Sequence, residues 1–386
     1  MNIIIFLVVI ACNFNSGDED IDSFKLTHTY EINLDRFTSP VEEYFQYVPD
    51  WKGEQVIAFH VRKKNVIKLY DLSTGKLLEE LNYNDSGPDA LPNMYDFYIL
   101  NKDTIFFNRR YHYELFQLDN SLKIVNQFKF LKEDEKIDPV SMIPLSGETF
   151  LIMFNHNKIF RVIGDKIFVR GVPDKNPDLL SFYQVDCNLV SVDLITNEFV
   201  GLLGYPDKMK QDVWGGFAGE LFSDYSYTKN QFCLSYAGDE LVHLINKEGE
   251  FLANFPAYPN NFKTIYPIRA PASESEKAYL AHYFEQFIFG SVLYDDHRDM
   301  IYRIALEPIP DNDDILLMDP LYRPRNMVVM AFDSKQDYQK VGEMRLKQNE
   351  KGVFLDKCFV NEKGLNITYV DLENEDKLYF KTFVVE

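Results

Sequence analysis

Five times along the chain, a β-prone run ends at Asp or Asn, crosses a short polar turn and resumes as a second apolar run. "NVIKLYDL" leads through Ser73-Thr74-Gly75-Lys76 to "LLEELNY", and "YELFQLD" leads through Asn120-Ser121 to "LKIVNQFKF". "NLVSVDL" passes Ile195-Thr196-Asn197-Glu198 to "FVGLLGY", and "QFCLSYAGDELVHLI" passes Asn246-Lys247-Glu248-Gly249 to "EFLANF". The last copy joins "NMVVMAFD" to "YQKVGEMRL" through Ser334-Lys335-Gln336-Asp337. The marker residues are Asp71, Asp119, Asp193, Asn246 and Asp333. A short Asp or Asn side chain accepts a hydrogen bond from the backbone two residues on, which favours a tight turn at the end of a strand. Gly75 and Gly249 supply positive φ where the turn needs it.

The intervals between copies are irregular, which disfavours a fixed-period solenoid and suits four-stranded sheets with insertions. Each sheet would be one blade of a propeller. Five hairpins account for five blades. The C-terminal runs "KCFV", "GLNITYV" and "KLYFKTFVV" supply three strands of a sixth. "SFKLTHTYEINL", Ser23 to Leu34, alternates with period two and supplies the fourth. The expected fold is therefore all-β: a six-bladed β-propeller closed by an N-terminal strand in the last blade. Two other arrangements stay open. A seventh blade would form if Lys158 to Arg170 were a further strand pair, and a pair of packed sheets would leave the repeating hairpins unexplained. Ser273 to Phe287 is the best candidate for a helix, although "AYLAHYF" could also begin a strand. No Pro-, Gly- or Ser-rich linker divides the chain after its first residues, so residues 23–386 read as a single domain.

The chain opens "MNIIIFLVVIACNFNSGDED". The apolar run Ile3 to Ala11 is far shorter than the roughly 20 residues that span a bilayer, but it suits the core of a secretory signal. Val9-Ile10-Ala11-Cys12 resembles a bacterial lipobox. Residues 1–11 then read as a lipoprotein signal peptide, Cys12 as the lipidated residue and 12–22 as an acidic tether. Gly17-Asp18-Glu19-Asp20 resembles the acidic export signal of Bacteroidetes lipoproteins sent to the outer leaflet. The expected location is the outer membrane of a bacterial envelope, displayed at the surface or facing the periplasm.

A formal charge of -20 disfavours nucleic acid as a partner, because such a surface repels phosphate backbones. Aromatic residues make up 15% of the chain, which argues against disorder and for sheet. Beyond Cys12, the cysteines Cys187, Cys233 and Cys358 are widely spaced and form no zinc or redox motif. Cys233 and Cys358 read as buried strand residues. One disulfide would suit an oxidising envelope, with its pairing left open.

The leader with its cysteine, the hairpins, and the stretches "SVLYDDHRDMIYRIAL", "NMVVMAFD" and "KVGEMRL" together resemble an uncharacterised family of Bacteroidetes six-bladed propeller lipoproteins, DUF4221-like. Tyr302-Arg303, Gly342-Glu343 and Gly364-Leu365 match its pattern. The resemblance implies a six-bladed fold and an envelope location. It brings no activity with it.

The chain carries no Gly-x-Ser-x-Gly elbow, His-Glu-x-x-His motif or glycine-rich phosphate loop. His60 and His243 sit in alternating strands and read as structural. Arg109, Arg110 and Tyr111 join two strands, Tyr302 and Arg303 lie in a β-like run, and Trp214, before two glycines, reads equally as an exposed indole on a loop or as packing over a blade edge. These six are the candidate binding residues, since Arg presents a planar fork to carboxylate or sugar oxygens and aromatic rings offer a flat surface. The competing reading pairs each Arg with an acid to hold blades together. Arg323 and Arg325 flank Pro324 before another strand. Asp295, Asp296 and Asp299, beside His297, are weak metal candidates for a structural calcium, because the run lacks a full calcium-loop pattern. Pro310 to Asp314 is a second acidic run of the same kind. No cofactor is expected. The function expected is a non-catalytic, monomeric binding or scaffold module for a glycan, a peptide or a neighbouring envelope protein. A carboxylate-dependent glycan hydrolase or lyase and an envelope sensor are the alternatives.

Mass spectrometry of the mature N-terminus tests the leader. A lipidated Cys12 as first residue is expected; an intact Met1 or an unmodified Cys12 contradicts it.

Overall fold

The computed structural model describes residues 23–40, 44–87, 90–109, 112–131, 135–136, 150–153, 160–215, 217–268, 276–309, 325–346, 353–371 and 373–386. The leader and tether, with Cys12, lie outside them, as do Arg110, Tyr111, Arg323 and the acidic run 310–314.

Six antiparallel sheets follow one another around a ring, a six-bladed β-propeller. Blade 1 comprises Phe45–Trp51, Glu54–Val61, Val66–Asp71 and Leu77–Asn82. Blade 2 comprises Asp96–Asn101, Thr104–Arg109, Glu114–Leu118 and Ile124–Lys129. Blade 3 holds Phe150–Met153 and Phe160–Ile163, then Lys166–Pro173, Leu189–Asp193 and Phe199–Leu203. Blade 4 comprises Leu221–Ser226, Gln231–Tyr236, Leu241–Ile245 and Phe251–Pro256. Blade 5 comprises Ile288–Asp295, Met300–Leu306, Met327–Asp333 and Gln339–Leu346. Blade 6 combines Val353–Asn361, Gly364–Val370 and Lys377–Val385 with the N-terminal strand Phe24–Asn33. First strands touch between blades 1 and 2, 4 and 5, 5 and 6, and 6 and 1, so they line the axis.

Blade 3 resolves the sevenfold alternative. Phe150–Met153 and Phe160–Ile163 pair with successive lengths of Lys166–Pro173, so the two short strands share the innermost position of one blade. The helix read at Ser273 to Phe287 is present as Glu276–Phe284, in the connection from blade 4 to blade 5.

The five marker residues all cap the turn between the third and fourth strands of their blades. Asp71 Oδ1 accepts the Thr74 N–H at 2.6 Å, Asp119 that of Ser121 at 2.8 Å, and Asp193 that of Ile195 at 2.9 Å. Asn246 and Asp333 do the same for Glu248 at 3.0 Å and Lys335 at 2.8 Å. Ser121 holds the Asp119 carboxyl below its usual range, and the Thr196 and Lys335 backbone amides do so for Asp193 and Asp333.

Closure comes from the N-terminal strand. Its register runs from Phe24 opposite Val385 to Asn33 opposite Lys377, with a bulge between Leu26 and His28. The strand also grips blade 1, because the Asn33 N–H donates to Gly75 O at 2.8 Å. Gly75 sits at φ +67°, and a Cβ there would fall 1.9 Å from Glu31 O. That close approach, besides the φ, requires glycine. Between blades 6 and 1, Phe45 stacks on Phe380 with centroids 5.7 Å apart, and Tyr47 on Phe359 at 4.3 Å.

Phe24, Tyr30, Ile32 and Leu34 of the closing segment are buried. Each such side chain contributes about 1.5–3 kcal/mol, so four together rival the ~5–15 kcal/mol that stabilises a typical domain. Deleting Ser23 to Leu34 is expected to give insoluble or unfolded protein. Ile32→Ala, a milder change, is expected to lower unfolding free energy by about 2–5 kcal/mol in urea titration. Unchanged stability in both variants contradicts the closure.

Candidate functional site

The first strand of a blade bonds to only one neighbour, so its other edge faces the axis and needs partners. Side chains of adjoining blades provide them. Gln46 of blade 1 takes both polar groups of Ile99 in blade 2, donating to its carbonyl at 2.9 Å and accepting its N–H at 2.7 Å. Asp224 of blade 4 accepts the Tyr294 N–H of blade 5 at 2.9 Å. Asp296 of blade 5 reaches back to blade 4, accepting Ser226 Oγ at 2.5 Å, the Tyr227 N–H at 2.9 Å and Thr228 Oγ1 at 2.6 Å.

These bridges frame an axial cavity of about 450 Å³ lined by residues of all six blades. It opens on the face that carries the turns between first and second strands. Among the described residues its one arginine is Arg161, from the split inner strand of blade 3. Nη2 donates to Asp224 Oδ1 at 2.5 Å, and Nη1 donates to Phe160 O at 2.8 Å. Burial opposes the Arg161 charge, yet Tyr98, Asp224 and Tyr227 together hold its pKa above the usual arginine value. Tyrosines surround the pair: Tyr47, Tyr98, Tyr225, Tyr227 and Tyr294. Tyr227 is 63% exposed and meets Tyr225 edge-on at 5.1 Å. Burial pushes the Tyr47 phenol above its usual range, so it stays neutral at physiological pH. Chemically, the cavity offers flat aromatic faces, phenolic hydroxyls and a neutralised arginine–carboxylate pair.

Of the residues singled out in the sequence, Asp296 and His297 line this cavity, while Arg109, Trp214, Tyr302 and Arg303 fall elsewhere. Arg109 ends the second strand of blade 2, and Nη1 donates to Glu114 Oε2 of the facing strand at 2.7 Å. Trp214, read as either an exposed ring or a packed one, is buried in the connection between blades 3 and 4, with Lys208 Nζ 5.4 Å from its ring centroid. Tyr302 and Arg303 are wholly enclosed. Arg303 projects from blade 5 into blade 4: Nε donates to Ser235 Oγ at 2.9 Å, Nη1 to Ala257 O at 2.9 Å, and Nη2 to Tyr236 O at 3.2 Å and Asp239 O at 2.6 Å. The guanidinium lies 3.8 Å from the Phe289 ring centroid, and burial lowers its pKa to about 9. Arg303 is thus a strut between blades, and so is Arg170, whose Nη1 donates to Glu220 Oε2 at 2.6 Å. Arg325, also buried, donates from Nε to Glu307 O at 2.7 Å.

The three metal candidates diverge. Asp295 caps its own turn, accepting the His297 N–H at 3.0 Å and Arg298 Nη1 at 2.9 Å. Asp296 holds blade 4, and Asp299 pairs with Lys335 at 2.8 Å. No group of three or more His, Cys, Asp or Glu arranged to hold a metal ion occurs among the described residues. Cys187, Cys233 and Cys358 are buried, and no disulfide joins them among the described residues. His60 is structural, with Nδ1 2.9 Å from Tyr95 O and Nε2 2.7 Å from Tyr83 Oη.

Arg161 escaped the sequence reading because its run, Lys158 to Arg170, read as an insertion or as the strand pair of a seventh blade. The available signal was a charged residue in "FRVI", otherwise apolar, at the inner position of a blade.

The sequence profile of a family described as a domain of unknown function (DUF4221) matches residues 22–345. A DUF4221 member from Bacteroides vulgatus has the same fold, with a TM-score of 0.78 and 18% identity over 94% of this chain and 98% of its own. A candidate exported protein from Bacteroides fragilis follows, with a TM-score of 0.56 and 9% identity over 96% of this chain and 97% of its own. No curated protein matches the chain.

Arg303→Met removes the guanidinium from the Ala257 and Asp239 carbonyls, while Tyr236 O keeps the Asp239 N–H at 3.2 Å. Each buried group left unsatisfied costs about 1–3 kcal/mol. A loss of at least ~3 kcal/mol in urea unfolding is expected. Wild-type stability would show that Arg303 does not brace the blades.

Proposed function

The chain belongs to the DUF4221 family, and we propose that it is a non-catalytic binding module of the bacterial envelope, acting as a monomer and taking a glycan at the mouth of its central channel. One observation carries this reading. Tyrosines from blades 1, 2, 4 and 5 converge with Arg161 of blade 3 on one cavity of about 450 Å³. That volume lies within the ~300–1,000 Å³ common for ligand pockets. Tyrosine rings stack on sugar faces while their hydroxyls exchange hydrogen bonds with sugar hydroxyls. Rigid strands hold these groups in place, the usual way in which one scaffold serves many ligands.

Binding is favoured over hydrolysis because the cavity's carboxylates already have structural work. Asp224 joins blades 3, 4 and 5, Asp296 joins blades 5 and 4, and Glu362 accepts Gln55 Nε2 of blade 1 at 3.0 Å. A glycosidase needs two carboxyl groups free to act across the scissile bond. The envelope location draws on the lipobox-like stretch at Cys12 and on the candidate exported Bacteroides fragilis protein of the same fold.

The purified full chain should be screened against glycan and peptide arrays and assayed for glycan turnover. Saturable glycan binding is expected, weakened about tenfold or more in Tyr227→Ala and Tyr98→Ala at unchanged melting temperature. Binding indifferent to both substitutions contradicts the site. Peptide or envelope-protein binding without glycan binding contradicts the ligand class, and steady turnover contradicts the non-catalytic role.

A further inference from the structure

The opposite face carries a second cavity, of about 1120 Å³, built by the loops around blade 1. It shares no lining residue with the channel mouth. Its cations come from two loops. Arg62, Lys63 and Lys64 form the turn between the second and third strands of blade 1, and Arg36 lies in the connection that follows the closing strand. Asn65, at φ 53°, fixes the turn by donating its N–H to Arg62 O at 3.1 Å. All four cations are exposed, and none forms an ion pair with a carboxylate among the described residues. The chain as a whole has 60 acidic against 40 basic residues, so four neighbouring cations left to solvent stand out.

Aromatic rings hold three of these cations, Arg36, Arg62 and Lys64, in position. The Arg62 guanidinium lies 4.1 Å from the Tyr95 centroid, and Lys64 Nζ lies 4.3 Å from that of Phe37. Phe37 itself is 43% exposed and presents an apolar surface within the cavity. The carboxylates differ in their freedom. Asp35 is bound to Lys68 and Thr38. Asp85, Glu375 and Asp376 line the remaining wall, where they can accept hydrogen bonds from hydroxyl groups. A ligand matched to all three features carries an oxyanion, an apolar ring face and several hydroxyls.

We infer that this cavity binds an acidic sugar, its oxyanion held by Arg62, Lys63 and Lys64, its ring face against Phe37 and its hydroxyls on Asp85, Glu375 and Asp376. The site is independent of the channel. A carboxylate and a phosphate ester offer the cations the same chemistry, so the probes separate them.

Calorimetric titration of the full chain with D-glucuronate, D-glucose 6-phosphate and D-glucose tests the inference. One or both acidic probes should bind at millimolar or lower concentration and weaken as salt is raised, with glucose about tenfold weaker or worse. Glucuronate alone would assign a carboxylate ligand, glucose 6-phosphate alone a phosphate ester, and both a general oxyanion site. The combined Arg62→Ala, Lys63→Ala and Lys64→Ala variant should lose about tenfold or more in affinity at an unchanged melting temperature. Lys63→Glu, a single exposed charge reversal, should show the same direction if the triple variant melts early. The inference is overturned if neither acidic probe binds, if glucose binds equally well, or if the folded variants bind like the parent. Tyr227→Ala should leave this binding unchanged, so a failure here and a failure at the channel are distinguishable.

Discussion

The pairing of Phe24–Asn33 with Lys377–Val385 is the constraint from which the rest of the structure follows. A ring of sheets built from one chain has two ends, and each end presents an unpaired edge unless the two meet in one blade. Here the last blade takes its fourth strand from the beginning of the chain. The consequence reaches the axis. Once the ring is closed, the inner strands stand close enough for Gln46 to satisfy Ile99 and for Asp224 to satisfy Tyr294. The cavity at the channel mouth is the space those bridges enclose. Closure also brings Asp35–Pro40, which leaves the closing strand, over blade 1, where it forms part of the second cavity.

Polar groups in the blade interfaces turn a stack of sheets into a ring of fixed geometry. Arg303, Arg170, His60 and Asn108 all project from second strands, and each bonds to a neighbouring blade or to the connection leading into it. Burial holds the His60 imidazole neutral, lowering its pKa to about 4. Such groups stabilise in proportion to their partnering, since a buried donor or acceptor left alone costs about 1–3 kcal/mol. All three Arg303 nitrogens are engaged, whereas Arg170 Nε and Asn108 Oδ1 have no hydrogen-bond partner among the described residues. Their geometric demands specify how far apart and at what angle adjacent blades sit, while the aromatic packing between blades tolerates more variation.

Much of this fold was legible in the chain because its turns are local events. Asp71, Asp119, Asp193, Asn246 and Asp333 each cap a turn within four residues of themselves, so sequence neighbours alone reveal them. Period-two alternation exposed the closing strand in the same way. The sites were far less legible, because burial and convergence are not local. Arg303 and Arg161 are both arginines in β-prone runs. One meets the carbonyls of blade 4 inside an interface and the other meets a carboxylate at the axis, a difference set by strand position within the blade. Arg62-Lys63-Lys64 does not stand out in the sequence, because Phe37 and Glu375 come beside it only in the folded ring. The acidic run at Asp295, Asp296 and Asp299 shows the converse: neighbours in sequence whose carboxylates serve three different contacts.

Amide hydrogen exchange at single-residue resolution tests the central claim, that the ring is held by its N-terminal strand. If so, the hydrogen-bonded amides of Thr29–Asn33 exchange only through global unfolding, as slowly as those of the buried second strand of blade 1, Glu54–Val61. Fast exchange across Phe24–Asn33, while Glu54–Val61 stays protected, would mean that the strand opens on its own and that the ring does not depend on it.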